Sequence, residues 1–144
     1  MKHHNSSAFS LVEVTLAIGI AAFCLITVFA LVPVAVLANR NATSQTAATN
    51  VMASVTADMR ATTGSTSPQY GITFGTPKTL YFDGAGQFTT SLGANSRYRV
   101  SVTFPSSPSG LSYADIKATW PAPADPATTT PSGSAEMFTA FKRN

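Results

Sequence analysis

FSLVEVTLAIGIAAFCLITVFALVPVAVLAN, residues 9–39, is the stretch on which the architecture of this chain turns. From Val14 to Asn39 no side chain is charged. Roughly 26 residues at about 1.5 Å of rise each make a helix of about 39 Å, enough to cross a bilayer. The rest of the 144-residue chain is rich in Ala, Thr, Ser, Gly and Pro. Its core must therefore be small, which disfavours a large enzyme fold.

The residues around this stretch sharpen the reading. Met1 to Ala8 is a short polar leader carrying Lys2, His3 and His4, and Glu13 places a carboxylate inside the apolar run that follows. An acid near the centre of a bilayer costs on the order of 2 to 3 kcal/mol, so it is expected to have a partner and a purpose. The bland alternative is that Glu13 snorkels to the headgroups. Pro33 removes a backbone donor, so a kink or local melting is expected near Phe29 to Pro33. Cys24 is the one cysteine and reads as a small buried hydrophobe, with no disulfide possible within one chain. Nine Lys and Arg against six Asp and Glu give a net charge of +3 without a basic run, which calls for no anionic partner.

Ala8-Phe9-Ser-Leu-Val-Glu13-Val resembles the cleavage and methylation signal of type IV prepilins and type II secretion pseudopilins. The resemblance covers about thirty residues. It implies that a prepilin peptidase cuts between Ala8 and Phe9, that Phe9 is then N-methylated, and that Glu13 pairs with the amino terminus of a neighbouring subunit in a filament. The family prefers Gly before the cut, where this chain has Ala8. The implied partners are other pilin or pseudopilin subunits, the prepilin peptidase and an inner-membrane assembly platform. The implied location is the inner membrane with an exported, periplasmic C-terminal domain, and a pilus or pseudopilus after assembly. Leu80-Tyr-Phe-Asp-Gly-Ala-Gly86 and Ala118-Thr-Trp120-Pro are similar, more loosely, to minor pilins of the V type, pseudopilins of the I type and prepilin cassette proteins of verrucomicrobial genomes. A second targeting reading stays open. Val36-Leu-Ala38 fits an ordinary signal-peptidase site that would release an exported binding protein, an adhesin or DNA-uptake receptor, beginning at Asn39. Against it, the apolar region is about twice the usual 7 to 15 residue hydrophobic core of a signal peptide.

Beyond Asn39 the spacing of Ala42, Gln45, Ala48, Met52, Val55 and Met59 continues the helix to about Ala61. Gly64 to Gln69 breaks it, and alternating segments follow. Strands are expected at Tyr70 to Phe74, Lys78 to Asp83, Gln87 to Thr90, Arg97 to Phe104, Tyr113 to Trp120 and Glu136 to Lys142, with a hairpin signal at Asp83-Gly84. Val100, Val102, Ile116 and Trp120 are expected to bury the helix stripe, and Arg97 and Arg99 to stay exposed. The expected fold class is α+β, a long amino-terminal helix packed on a small antiparallel sheet of four or so strands, which is the pilin-like fold that the resemblance implies. The expected organisation is a leader at 1–8, a transmembrane or filament-core helix at 9–38, an amphipathic continuation at 39–63 and an exported sheet domain at 64–144. Within the last, 121–131 reads as an exposed Pro, Ala and Thr loop, held by strand pairing or left mobile.

No HExxH, GxSxG, phosphate loop or CxxC is present, and no histidine follows residue 4 to act as a base. No catalysis and no cofactor are expected. Asp83, Asp115, Asp125 and Glu136 are scattered singly and read as solvated acids, so no metal is expected. Arg97, Arg99, Lys142 and Arg143 form the one basic set that might meet DNA. Alternation sends Tyr98 to the face opposite both strand arginines, which makes nucleic-acid binding an unfavoured reading.

Overall fold

The computed structural model describes residues 9–105 and 111–142. The leader, with Ala8, and Arg143 fall outside them. Contacts divide the chain into two compact units, Met1–Arg40 and Asn41–Asn144. Helix α1, Leu11–Ala61, supplies all the regular structure described in the first unit and opens the second. It passes Pro33 without a break, so the local melting expected there is not present. A proline in a long helix costs one ladder bond and leaves the turns on either side intact.

In the second unit α1 presents a buried stripe of Ser44, Ala48, Val51, Met52, Val55, Thr56, Asp58 and Met59. The three- and four-residue spacing is that of one helical face. Ala42 and Gln45, expected on that stripe, lie exposed, and Ser44 and Val51 take part instead. The helix ends at Ala61, where its spacing predicts, inside the 39–63 segment.

Five strands follow: β1 Lys78–Asp83, β2 Phe88–Thr89, β3 Ser96–Thr103, β4 Leu111–Trp120 and β5 Gly133–Lys142. They form one antiparallel sheet in the order β2-β1-β3-β4-β5. The α+β class and the alternation are as read, since Leu80, Phe82, Tyr98, Val100, Val102, Ala114, Ile116 and Ala118 are all buried in one core with the helix stripe. Trp120 is buried with them and meets Tyr98 edge to face at 6.2 Å. Opposite it, Gly133 is required by close approach, because a Cβ there would stand 2.3 Å from Trp120 Cζ2.

The expected strand at Tyr70 to Phe74 is instead a compact loop with a single bridge, Thr66 to Thr73. Gly71 takes φ +60°, which a strand residue cannot continue. Asp58, buried on α1, accepts hydrogen bonds from the backbone N–H groups of Gln69 at 3.2 Å and Tyr70 at 3.1 Å. Ser67 and Ile72 close the loop through N–H to carbonyl and N–H to Oγ bonds of 2.9 and 3.0 Å. These bonds satisfy backbone groups that a strand would have satisfied by pairing. The hairpin signalled at Asp83-Gly84 does form, between β1 and β2. Its left-handed residue is Gly86, at φ +79°, while Asp83 Oδ1 accepts from the N–H groups of Ala85 and Gln87.

Candidate functional site

The first half of α1 is the candidate. Every large apolar side chain from Phe9 to Leu37 is exposed, with Phe9 at 83 %, and the helix is long and apolar enough to cross a membrane. Exposed apolar surface on this scale in a folded protein marks a membrane or protein contact. Both of its threonines bond back to the helix itself. Thr15 Oγ1 donates to the Val12 carbonyl at 2.9 Å and Thr27 Oγ1 to the Cys24 carbonyl at 2.7 Å. Cys24 lies exposed on the same surface, among the apolar side chains of the run.

Glu13 has a local partner in its own first turn. Ser10 N–H donates to Glu13 Oε2 at 3.0 Å, and Val12 N–H donates to Ser10 Oγ at 3.2 Å. Ser10-Leu-Val-Glu13 is thus a capping box, with two backbone donors at the helix start satisfied by side chains. The S-x-x-E pattern before an apolar run was a legible signal for it. Phe9 lies next to this box, outside the helix.

The expected surface residues of the second unit are tied into the sheet. The register of β1 and β3 slips between Phe82↔Tyr98 and Asp83↔Ser96, leaving Arg97 as the extra residue. Such a bulge re-aims the side chain it carries. Arg97 remains exposed, yet its Nη2 reaches Ser44 Oγ on α1 at 3.1 Å. Arg99, expected to be exposed, is half-buried. It bonds Asp125 Oδ2 at 2.8 Å and the Ala122 carbonyl at 3.1 Å, and lies over the Tyr81 ring at 5.6 Å. The two arginines therefore serve different partners and do not share a basic stripe.

Through Arg99 the 121–131 segment is fastened to the sheet by a side-chain clamp, neither paired as a strand nor left loose. Ala122 is buried and its N–H donates to the Arg97 carbonyl at 2.9 Å. Asp125 Oδ1 accepts from the Ala127 N–H, and that bond, with the Arg99 guanidinium, holds its carboxyl below the usual carboxylate range. Asp125 and the turn-forming Asp83 are therefore not merely solvated acids.

Asp115 departs from that expectation too. One of its oxygens is buried without a hydrogen-bond partner, and burial, then the neighbouring charge of Glu136, pushes its carboxyl up against a smaller opposing effect of Lys117. Glu136 is the exposed member and meets Lys117 at 3.5 Å. Beside them Tyr113 stacks on Phe138 at 5.6 Å, and Phe138 is 64 % exposed. Among the described residues no three His, Cys, Asp or Glu side chains are grouped as metal ligands. Asp58 was not singled out from the sequence. Its signal was a charge three residues after Val55, on the apolar stripe, where a carboxylate must find buried donors.

Neither family models, nor curated proteins, nor solved structures match this chain.

Proposed function

We propose that this chain is a structural subunit, of the minor-pilin or pseudopilin kind, in a type IV pilus-like or type II secretion filament. The observation that carries the reading is the exposed apolar helical surface from Leu11 to Leu37 with a carboxylate in its first turn. Before assembly that surface lies in the inner membrane and the Asn41–Asn144 unit is exported to the periplasm. After assembly it is covered by the equivalent helices of neighbouring subunits. The leader is removed by a prepilin peptidase between Ala8 and Phe9, and the new amine is methylated. No catalysis by the chain itself is part of this role.

Glu13 selects the register of assembly. An ammonium and a carboxylate are each costly alone in apolar surroundings, so docking that brings the Phe9 amine of one subunit to Glu13 of another relieves both. A carboxylate offers lone pairs beyond the one that Ser10 N–H occupies.

The test is the intact mass and amino-terminal sequence of the protein recovered from membranes and from sheared filaments. Phe9 as first residue is expected in both. Asn39 as first residue would instead mean an ordinary signal peptide and a released binding protein. Glu13→Gln keeps a capping side chain and removes the charge, so processing should persist while the filament fraction falls. Incorporation at the wild-type level would leave Glu13 as an interfacial acid and remove the filament reading's main support.

A further inference from the structure

We infer that the cleft between the β1–β2 hairpin and the start of β3 binds the headgroup of a zwitterionic, ethanolamine-type phospholipid, with the phosphate at Arg97 and the ammonium at Asp83; this rests on the membrane placement of the apolar helix proposed above. The cleft is open, about 450 Å³ in volume, and is lined by Asp83, Gly84, Asn95, Ser96, Arg97 and Pro121. That volume is in the range of small-ligand sites. A carboxylate and a guanidinium share it, yet among the described residues the ion pairs are Arg99 with Asp125 and Lys117 with Glu136, so Asp83 and Arg97 do not neutralise each other. A ligand that carries both signs a short distance apart can meet both.

Both groups are positioned in advance of any ligand. The bulge re-aims Arg97, and its side chain passes over Gly84, where a Cβ would lie 3.6 Å from Arg97 Cδ. At its end Nη2 donates to the buried Ser44 Oγ at 3.1 Å. One corner of the guanidinium is thus anchored on α1, while Nε and Nη1 keep donors for a phosphate, whose oxygens match the fork. Asp83 Oδ1 accepts the N–H groups of Ala85 and Gln87 at 2.9 and 2.8 Å, which fixes the carboxylate and leaves Oδ2 for an ammonium. A choline headgroup has no N–H to give Asp83, and a purely anionic headgroup meets it with like charge. The lipid source follows from the helix. Ser44 lies little more than one turn of α1 after Asn39, the last residue of the uncharged run, and headgroups fill the layer just beyond the hydrocarbon.

The full chain in detergent micelles, titrated by calorimetry, should bind glycerophosphoethanolamine saturably and about tenfold more tightly than glycerophosphocholine or inorganic phosphate, the change for one charge-assisted hydrogen bond. Arg97→Gln keeps a donor for Ser44 and should weaken glycerophosphoethanolamine about tenfold, with Arg97→Lys in between. Asp83→Asn keeps the acceptor of the turn and should bind the ethanolamine and choline compounds equally. Because that readout is a ratio between two ligands on one variant, a change in stability does not mimic it. In lipid nanodiscs, hydrogen exchange at the Gly84 and Arg97 amides should slow when phosphatidylethanolamine replaces phosphatidylcholine. No saturable binding, or equal binding of all three compounds by the wild-type chain, would overturn the inference and leave the filament reading untouched. Binding of the soluble compound without a response in nanodiscs would overturn it too, by making the occupant a free zwitterion. An exported chain that begins at Asn39 would instead remove the membrane reading, whatever the titration gives.

Discussion

Val28 and Val55 are the same residue in the same helix, yet Val28 is 60 % exposed and Val55 is fully buried. The first half of α1 surrounds its axis with Leu, Ile, Val and Phe and buries none of them within the chain. The second half carries a narrow stripe of Ala, Val and Met and buries it against a sheet. Helices owe most of their stability to packing of an apolar face, so the second half draws its support from the sheet and the first half must draw it from outside the chain. Hydrophobicity and burial run in opposite directions along one element. The more apolar half is the one left exposed among the described residues.

That contrast would break if the exposed half contributed to the stability of the sheet unit. Phe82 is fully buried and Phe23 is 70 % exposed. Phe82→Ala should cost about 3 to 5 kcal/mol, enough to unfold a small domain, whereas Phe23→Ala should leave unfolding of the sheet unchanged. The measurement is denaturant unfolding of the full chain in detergent micelles, followed by the fluorescence of its single tryptophan, Trp120. A lower midpoint for Phe23→Ala would mean that the two units are not energetically separate.

A smaller effect sharpens the account of how the sheet unit manages with few large side chains. Trp120 lies across Gly133 on the neighbouring strand, filling space that a side chain would otherwise occupy. Gly133→Ala forces the indole to move and should cost about 1 to 3 kcal/mol in the same unfolding measurement, with a shifted emission maximum. An unchanged spectrum and midpoint would show that the indole has room to give.

The smallest effects concern the solvent face of the sheet, where two aspartates pull in opposite directions with pH. Asp125 is held below the usual range, so its contribution is present above the ordinary Asp pKa and is lost as pH falls through its lowered value. Asp115 is raised, so its charged form weakens the fold above that raised pKa, and the penalty disappears once pH falls below the unfolded value. Asp115→Asn should therefore raise the unfolding midpoint at pH 7 and leave it unchanged near pH 3. Equal midpoints for variant and wild type at pH 7 would mean that the Asp115 carboxylate is better solvated than its buried oxygen suggests.

Much of this molecule follows from its sequence because the signals are local. An uncharged run from Val14 to Asn39 can hardly be other than a long helix, since only internal hydrogen bonding satisfies its backbone away from water. The alternation in Tyr98, Val100 and Val102 assigns a buried face by strand geometry alone. Lys78–Asp83 was legible to its ends. Ser10-Leu-Val-Glu13 is equally local, although an acid in an apolar segment points first to a distant partner. What only the tertiary structure decided depends on residues far apart in the chain. Tyr70 to Phe74 alternates as a strand would, but Asp58, on the helix, offers its backbone donors a better acceptor and the segment becomes a loop. Arg99 lies at a solvent-facing strand position, but Asp125 and the Ala122 carbonyl come back over it and half bury it. Arg97 turns toward Ser44 because of a slip in register between two strands that neither strand specifies alone. Periodicity fixes which way a side chain points from its own backbone, and only the fold fixes what it meets there.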